Sequence, residues 1–325
     1  MIERLLDRHL DDAAQAQARE GQWLPALWAE VEEMGLPLAL LTEDQGGFGL
    51  SFEEAGEALR LLGRHAMPLP VVETMAANQL LAAAGLPLAE GAAGLARADD
   101  LKLIDGRLTG TVPRVAWGEQ IGCLALAVGD RLYRVPRSGW SVAEQGTSLN
   151  FHPRPSLAID WAVDASAPLP HCPLAAGATV RAFQIAGALE AALAMTLDHT
   201  ATRVQFGKPL QKNQVVQHEL AKLAGELACA TAAADLAGEA LARGDTLGVA
   251  AGSLRAREAA GTGAGIATQM HGAIGFTREH RLHLYTTALW TWRDEFGGQV
   301  FWATQLGRAA ITAGGQGYWP MVTAL

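Results

Sequence analysis

Cysteine is scarce in this chain, with 3 residues in 325, at positions 123, 172 and 229. An odd number so widely spaced excludes a disulfide framework and a Cys-x-x-Cys metal pair, and predicts three reduced thiols. His171 beside Cys172 is the one His/Cys adjacency, and its Pro/Ala-rich surroundings read as linker rather than ligand. No metal ligand set is assigned. Positive charge is also thin: 25 Lys and Arg stand against 34 Asp and Glu, a formal net charge of −9. With no Lys/Arg run, nucleic acid and an anionic membrane surface are poor partners. No stretch reaches the roughly 18 uninterrupted apolar residues of a membrane span. The start, Met1-Ile-Glu-Arg-Leu-Leu6, is amphipathic and charged, unlike a signal peptide. The expectation is a cytoplasmic protein whose partners are small molecules or other proteins.

What is present is hydrophobic and helical in pattern. Half of the residues are hydrophobic, enough at this length for two or three cores. Leu24, Leu27, Trp28, Val31 and Met34 recur at three- and four-residue spacing after Pro25, and Gly35 stops the run. Ser51 and Glu54 form a capping box before Leu59 and Leu62, and a third helix is predicted from Val71 to Ala84, ended by Gly85. The period then becomes alternating. Asp105-Gly106 and Gly129-Asp130 are hairpin signals, and residues 123–128, 131–135, 140–143 and 157–163 read as strands of a sheet of four to six. Pro/Ala-rich residues 165–173 form a hinge back into helix. There Ile185, Leu189, Leu193 and Leu197 lie four apart, Leu220, Leu223 and Leu227 follow, and alanine-rich residues 228–261 suit close helix packing. Gly261-Thr-Gly-Ala-Gly265 is read as packing glycine, since no strand precedes it and the third glycine is misplaced for a dinucleotide fingerprint. The fold class is mainly α with a small β domain: a helical domain over 1–96, a β domain over 97–168, and a four-helix bundle over 169–325.

Two stretches carry the chemistry. Arg203-Val-Gln-Phe-Gly-Lys-Pro-Leu210 ends an apolar helix with an arginine and leads into the polar residues Asn213, Gln214, Gln217 and His218. Gln269-Met-His-Gly-Ala-Ile-Gly-Phe276 breaks another helix with two glycines beside a glutamine and a histidine. A pyrophosphate needs a guanidinium fork and exposed backbone N–H groups, and glycine lets backbone approach a ligand. The plainer alternative for Phe206-Gly-Lys-Pro209 is a helix stop, with glycine, lysine and proline in the usual order.

Together these stretches resemble the flavin-binding elements of the acyl-CoA dehydrogenase family. Thr42-Glu-Asp-Gln-Gly-Gly-Phe-Gly49 is similar to the family's Pro-Glu-x-x-Gly-Gly-x-Gly loop, with Thr42 in place of proline. Residues 187–217 are similar to the run that opens the family's C-terminal bundle, and Gln269–Phe276 resembles its Gln-x-x-Gly-Gly-x-Gly-Phe turn, with Ala273 replacing a glycine. The resemblance implies FAD as cofactor, with Arg203, Gln205, Phe206, Gln214, Gln269, His271, Gly272 and Gly275 as its contacts. Those contacts come from two subunits, so binding needs at least a dimer.

It implies α,β-desaturation of an acyl-CoA thioester, in which a carboxylate takes the Cα proton and hydride leaves Cβ, with electrons passing to an electron-transfer flavoprotein. Two departures stand out. The family's Thr-Glu-Pro-x-x-Gly-Ser-Asp segment and its Trp-Ile-Thr-Asn strand are absent between 90 and 170, so the β domain is read as reduced. The glutamate of the family's Tyr-Glu-Gly-Thr segment would fall on Phe296. Glu295, one place early, is the candidate base and Asp294 the second choice; a solvated Arg293/Asp294/Glu295 cluster is the alternative. Glu190 is read as structural, paired across the bundle, and Arg181 is left unassigned. Three functions stay open: an active dehydrogenase, a non-catalytic or flavin-poor subunit of a heteromeric acyl-CoA dehydrogenase resembling those of steroid side-chain breakdown, and a flavin oxidase or monooxygenase on the same fold.

Overall fold

A computed structural model describes residues 1–205 and 207–323. The chain divides into two compact units, residues 1–55 with 67–177 and residues 56–66 with 178–325.

In the first unit the helices are α1 (Ile2–His9), α2 (Asp12–Arg19), α3 (Pro25–Glu33), the start of α4 (Phe52–Arg64) and α5 (Val71–Ala83). Pro25 takes the first turn of α3, where its missing N–H is no loss, and Gly35 follows in the left-handed region at φ +70°. The Ser51 box forms as predicted: Glu54 N–H donates to Ser51 Oγ at 3.2 Å and Ser51 N–H to Glu54 Oε2 at 2.8 Å. α5 is buried on nearly every side, so its sequence shows no amphipathic stripe. In the 42–49 loop, Thr42 and Gln45 make a second capping box, Gly46 sits at φ +86°, and backbone oxygens of Leu38 and Leu41 leave no room for a Cβ on Gly47.

The strands form two four-stranded sheets, eight strands where the alternation indicated four to six. One has the order β1 (Ala93–Arg97), β4 (Cys123–Val128), β5 (Arg131–Pro136), β8 (Ser166–Pro168); the other β2 (Lys102–Ile104), β3 (Arg107–Val112), β7 (Ser156–Ala162), β6 (Trp140–Glu144). The Asp105-Gly106 and Gly129-Asp130 turns join β2 to β3 and β4 to β5. β8 falls in the stretch assigned as hinge: three residues ending in proline escape a propensity reading, yet proline is tolerated on an edge strand. β1, with Ala, Gly and Arg, is equally weak in β propensity and forms by parallel pairing with β4.

The second unit is helical: the rest of α4, α6 (Pro173–Thr202), α7 (Gln214–Ala242), α8 (Thr246–His271), α9 (Leu282–Trp292) and α10 (Gly298–Thr323), with the two-residue strands β9 (Val204–Gln205) and β10 (Lys208–Pro209) after α6. α6 is long and apolar enough to cross a membrane by length and composition, but 72% of its apolar window is buried by protein. Its leucine stripe is not uniform: Ile185 and Leu189 are buried, while Leu197 is 45% exposed. Glycine sets the helix spacing. A Cβ on Gly63 would strike the Gln184 backbone, on Gly252 the Ala233 carbonyl, and on Gly263 the Leu189 side chain. Within the 261–265 run, inside α8, Gly263 is thus a packing position, whereas a Cβ on Gly265 would meet open space. Glu190 pairs with Arg64 at 3.5 Å, as its structural reading expects.

Candidate active site

The flavin-like motifs meet at one end of the bundle. α6 finishes at Thr202 and Arg203 follows in an exposed position, its backbone N–H donating to His199 O at 2.9 Å. One turn before Arg203, His199 stacks on His271, the last residue of α8, with ring centroids 4.4 Å apart. That contact joins the Arg203 segment to the glycine turn. Gly272 leaves the helix at φ +63° and ψ −140°, a region open to glycine and nearly closed to other residues, and nothing lies within 4 Å of where its Cβ would be. Gly275 is buried against His271 and Thr268, so its substitution would push the turn off α8. Gly207, at φ +76°, turns the chain between β9 and β10.

The polar groups of this end are unspent. Arg203, Gln205, Gln214 and Gln269 are exposed, and their side chains make no hydrogen bond or ion pair among the described residues. Phe206 lies outside the described residues. A free guanidinium, three free amides and a glycine turn with accessible backbone fit an anionic dinucleotide such as FAD. His271 is 5% exposed and keeps its Nδ1 on Ala267 O at 2.8 Å.

Glu295 is elsewhere. It lies just past α9, its side chain 11% exposed, with Oε2 accepting from Arg181 Nε at 2.7 Å and Nη2 at 2.6 Å. Arg181 is 3% exposed, is hydrogen-bonded to Gln184, and has Trp292 and Phe296 rings 5.6 and 5.7 Å from its Cζ. A second buried arginine supports the same turn: Arg257 Nη1 donates to the carbonyls of Trp292 at 2.9 Å and Arg293 at 2.7 Å, taking up oxygens that a helix end leaves without partners. Burial lowers Arg257 to about 10, with the Glu295 charge acting against that fall. Glu295 is thus a largely buried carboxylate paired with Arg181 and within the electrostatic reach of Arg257, while the Asp294 side chain beside it is 60% exposed. The sequence leaves Arg181 unassigned because its register does not match the arginine of the resembled family; its partner lies 114 residues away, and a lone arginine in an apolar helix is the available signal.

Arg181 and Thr202 lie on the same helix, about 31 Å apart along its axis. Arg203 and the Arg181–Glu295 pair therefore lie far apart along α6.

A model of the acyl-CoA dehydrogenase C-terminal domain matches residues 171–291. The acyl-CoA dehydrogenase IpdE2 of Mycobacterium tuberculosis is 28% identical over 291 residues, 87% of each chain. Acyl-CoA dehydrogenase FadE34 of the same organism is 29% identical over 314 residues, which are 90% of this chain but 43% of that longer protein. Among solved structures, a variant of the Tcur3481–Tcur3483 steroid ACAD shares the fold at a TM-score of 0.83, with 24% identity and 94% of each chain covered. The ChsE4–ChsE5 complex from Mycobacterium tuberculosis shares it at 0.80, with 22% identity and the same coverage. Motif order, domain match and end-to-end relatives agree: residues 171–291 match the acyl-CoA dehydrogenase C-terminal domain, and the chain as a whole is similar to acyl-CoA dehydrogenases.

Proposed function

We propose that the chain acts in FAD-dependent α,β-desaturation of an acyl-CoA thioester as one subunit of a cytoplasmic heteromeric complex, and that a partner subunit brings the catalytic base. The observation that carries this reading is the Arg181–Glu295 pair. To accept a proton from carbon, Glu295 must give up a buried guanidinium and leave it without its countercharge, a loss of about 3–5 kcal/mol. A base that works at neutral pH is held ready, not neutralised in advance.

When bound, FAD supplies the hydride acceptor. The chain's own part is binding: Arg203 would pair with the pyrophosphate, Gln205, Gln214 and Gln269 would offer amides, and the turn at Gly272 and Gly275 would present backbone N–H groups. Because these residues are remote along α6 from Arg181, which holds Glu295, a flavin bound by them would serve a site completed by another subunit. Relatives favour a partner of the same family. ChsE4–ChsE5 is named as a complex of two different chains, and FadE34 is long enough to hold a second unit beside the one matched here. An electron-transfer flavoprotein is the acceptor proposed for the reduced complex. The acyl group to test first is steroid-derived, following the name of the Tcur3481–Tcur3483 enzyme.

A second reading keeps Glu295 as the base. It is favoured by the burial of the carboxylate, whose side chain is 11% exposed and whose Arg181 partner lies against the Trp292 and Phe296 rings. One experiment separates the two: express the chain alone and with a family member from its genomic neighbourhood, then measure flavin content and acyl-CoA-dependent flavin reduction. The heteromer reading expects flavin and reduction in the co-expressed complex and neither in the chain alone. Full flavin and turnover by the chain alone would establish the second reading.

A further inference from the structure

We propose that His199, His271 and His280 form a binding site for a divalent transition-metal ion of the borderline class, such as zinc, cobalt or nickel. The three side chains come from three places in the second unit: the end of α6, the last residue of α8, and the turn before α9. One ring nitrogen from each lies within 4.8 Å of the other two. Ring centroids are 4.4 Å apart for His199 and His271, 4.7 Å for His271 and His280, and 6.2 Å for His199 and His280. Imidazole nitrogens suit these metals, and three of them leave one coordination position for water or an anion.

His271 is set up as a ligand. Its Nδ1 donates to the Ala267 carbonyl at 2.8 Å, which fixes the proton there and leaves the Nε2 lone pair. This is the support that metal-bound histidines ordinarily have from their other nitrogen. Nε2 is buried and has no hydrogen-bond partner among the described residues. A buried acceptor without a donor is costly unless something comes to it. Burial lowers His271 to about 4, and His199 is lowered as well, first by burial, so both are neutral as ligation requires.

His280 needs adjustment, since its Nδ1 now accepts from Leu282 N–H at 3.1 Å. It joins the metal by releasing that bond and turning its ring. The N–H released belongs to the first residue of α9, a position with no intrahelical partner, and losing it is minor against a metal–nitrogen bond. The Arg203 guanidinium next to His199 opposes a bare cation, so a Kd on the order of micromolar is expected rather than the far tighter binding of a closed structural site.

The test uses the full chain, as isolated and in complex with its co-expressed partner, stripped with chelator and titrated with cobalt(II). Cobalt bound to three imidazoles develops visible absorption bands, and the proposal expects saturation at one ion per chain. His271→Ala and, separately, His199→Gln should each weaken binding by more than about tenfold. His199 is only half-buried, so its variant is expected to fold even if His271→Ala does not; circular dichroism checks both. Absence of cobalt bands in the folded parent, or unchanged titrations in the folded His199→Gln variant, overturns the proposal.

Discussion

Arg181 and Glu295 illustrate how a single pair decides between roles. A buried ion pair is poor evidence of net stability, but removing one partner leaves an uncompensated charge. Arg181→Ala should therefore lower unfolding stability in urea by about 3–5 kcal/mol, whereas Arg181→Met combined with Glu295→Leu should recover most of that loss. A double variant as unstable as Arg181→Ala would show that the pair is not the source of the effect. The cysteines give a milder test. Burial pushes the Cys123 thiol up to about 11, so it stays protonated, while Cys229 is exposed. Iodoacetamide at pH 8, followed by mass analysis of peptides, should modify Cys229 and spare Cys123 in the folded protein.

At the scale of elements, the tight places are glycines between helices. A Cβ at Gly252 on α8 would meet the Ala233 carbonyl and, at 2.9 Å, the Ala237 nitrogen of α7. Backbone cannot swing aside as a side-chain tip does, so Gly252→Val should cost about 1–3 kcal/mol, read from the midpoint of thermal unfolding. Gly265→Ala, with open space at its Cβ, should be neutral or slightly stabilising. Local rules made much of this architecture legible. The Ser51–Glu54 box, Pro25, and the Gly129-Asp130 turn each act within a few residues, and β4 and β5 appear where alternation placed them. The short strands β1 and β8 were hidden because their residues have little intrinsic preference, and pairing with β4 and β5 makes them strands. The candidate site divides in the same way. Arg203 and the glycine turn were readable as contiguous motifs. The Arg181–Glu295 pair and the His199–His271 stack join residues far apart in the sequence, and no local pattern announces them.

At the scale of the molecule, the proposed function makes this chain a contributor to a shared site, with Arg203 just past the end of α6 and Glu295 held by Arg181 far back along the same helix. Arg203 is exposed and makes no ion pair among the described residues, so Arg203→Ala should leave the unfolding midpoint within about 0.5 kcal/mol of the parent while flavin occupancy of the purified complex falls. Retained flavin in that variant would remove Arg203 from the proposed flavin contacts. The most direct measurement is anaerobic flavin reduction by acyl-CoA in the co-expressed complex carrying Glu295→Gln, a substitution that keeps the side chain's shape and one acceptor oxygen for Arg181. The account predicts a rate within about tenfold of the parent complex, because the base lies in the partner. A fall of about 10²–10⁴-fold with flavin still bound, the size of a lost general base, would contradict it and make Glu295 the group that takes the proton.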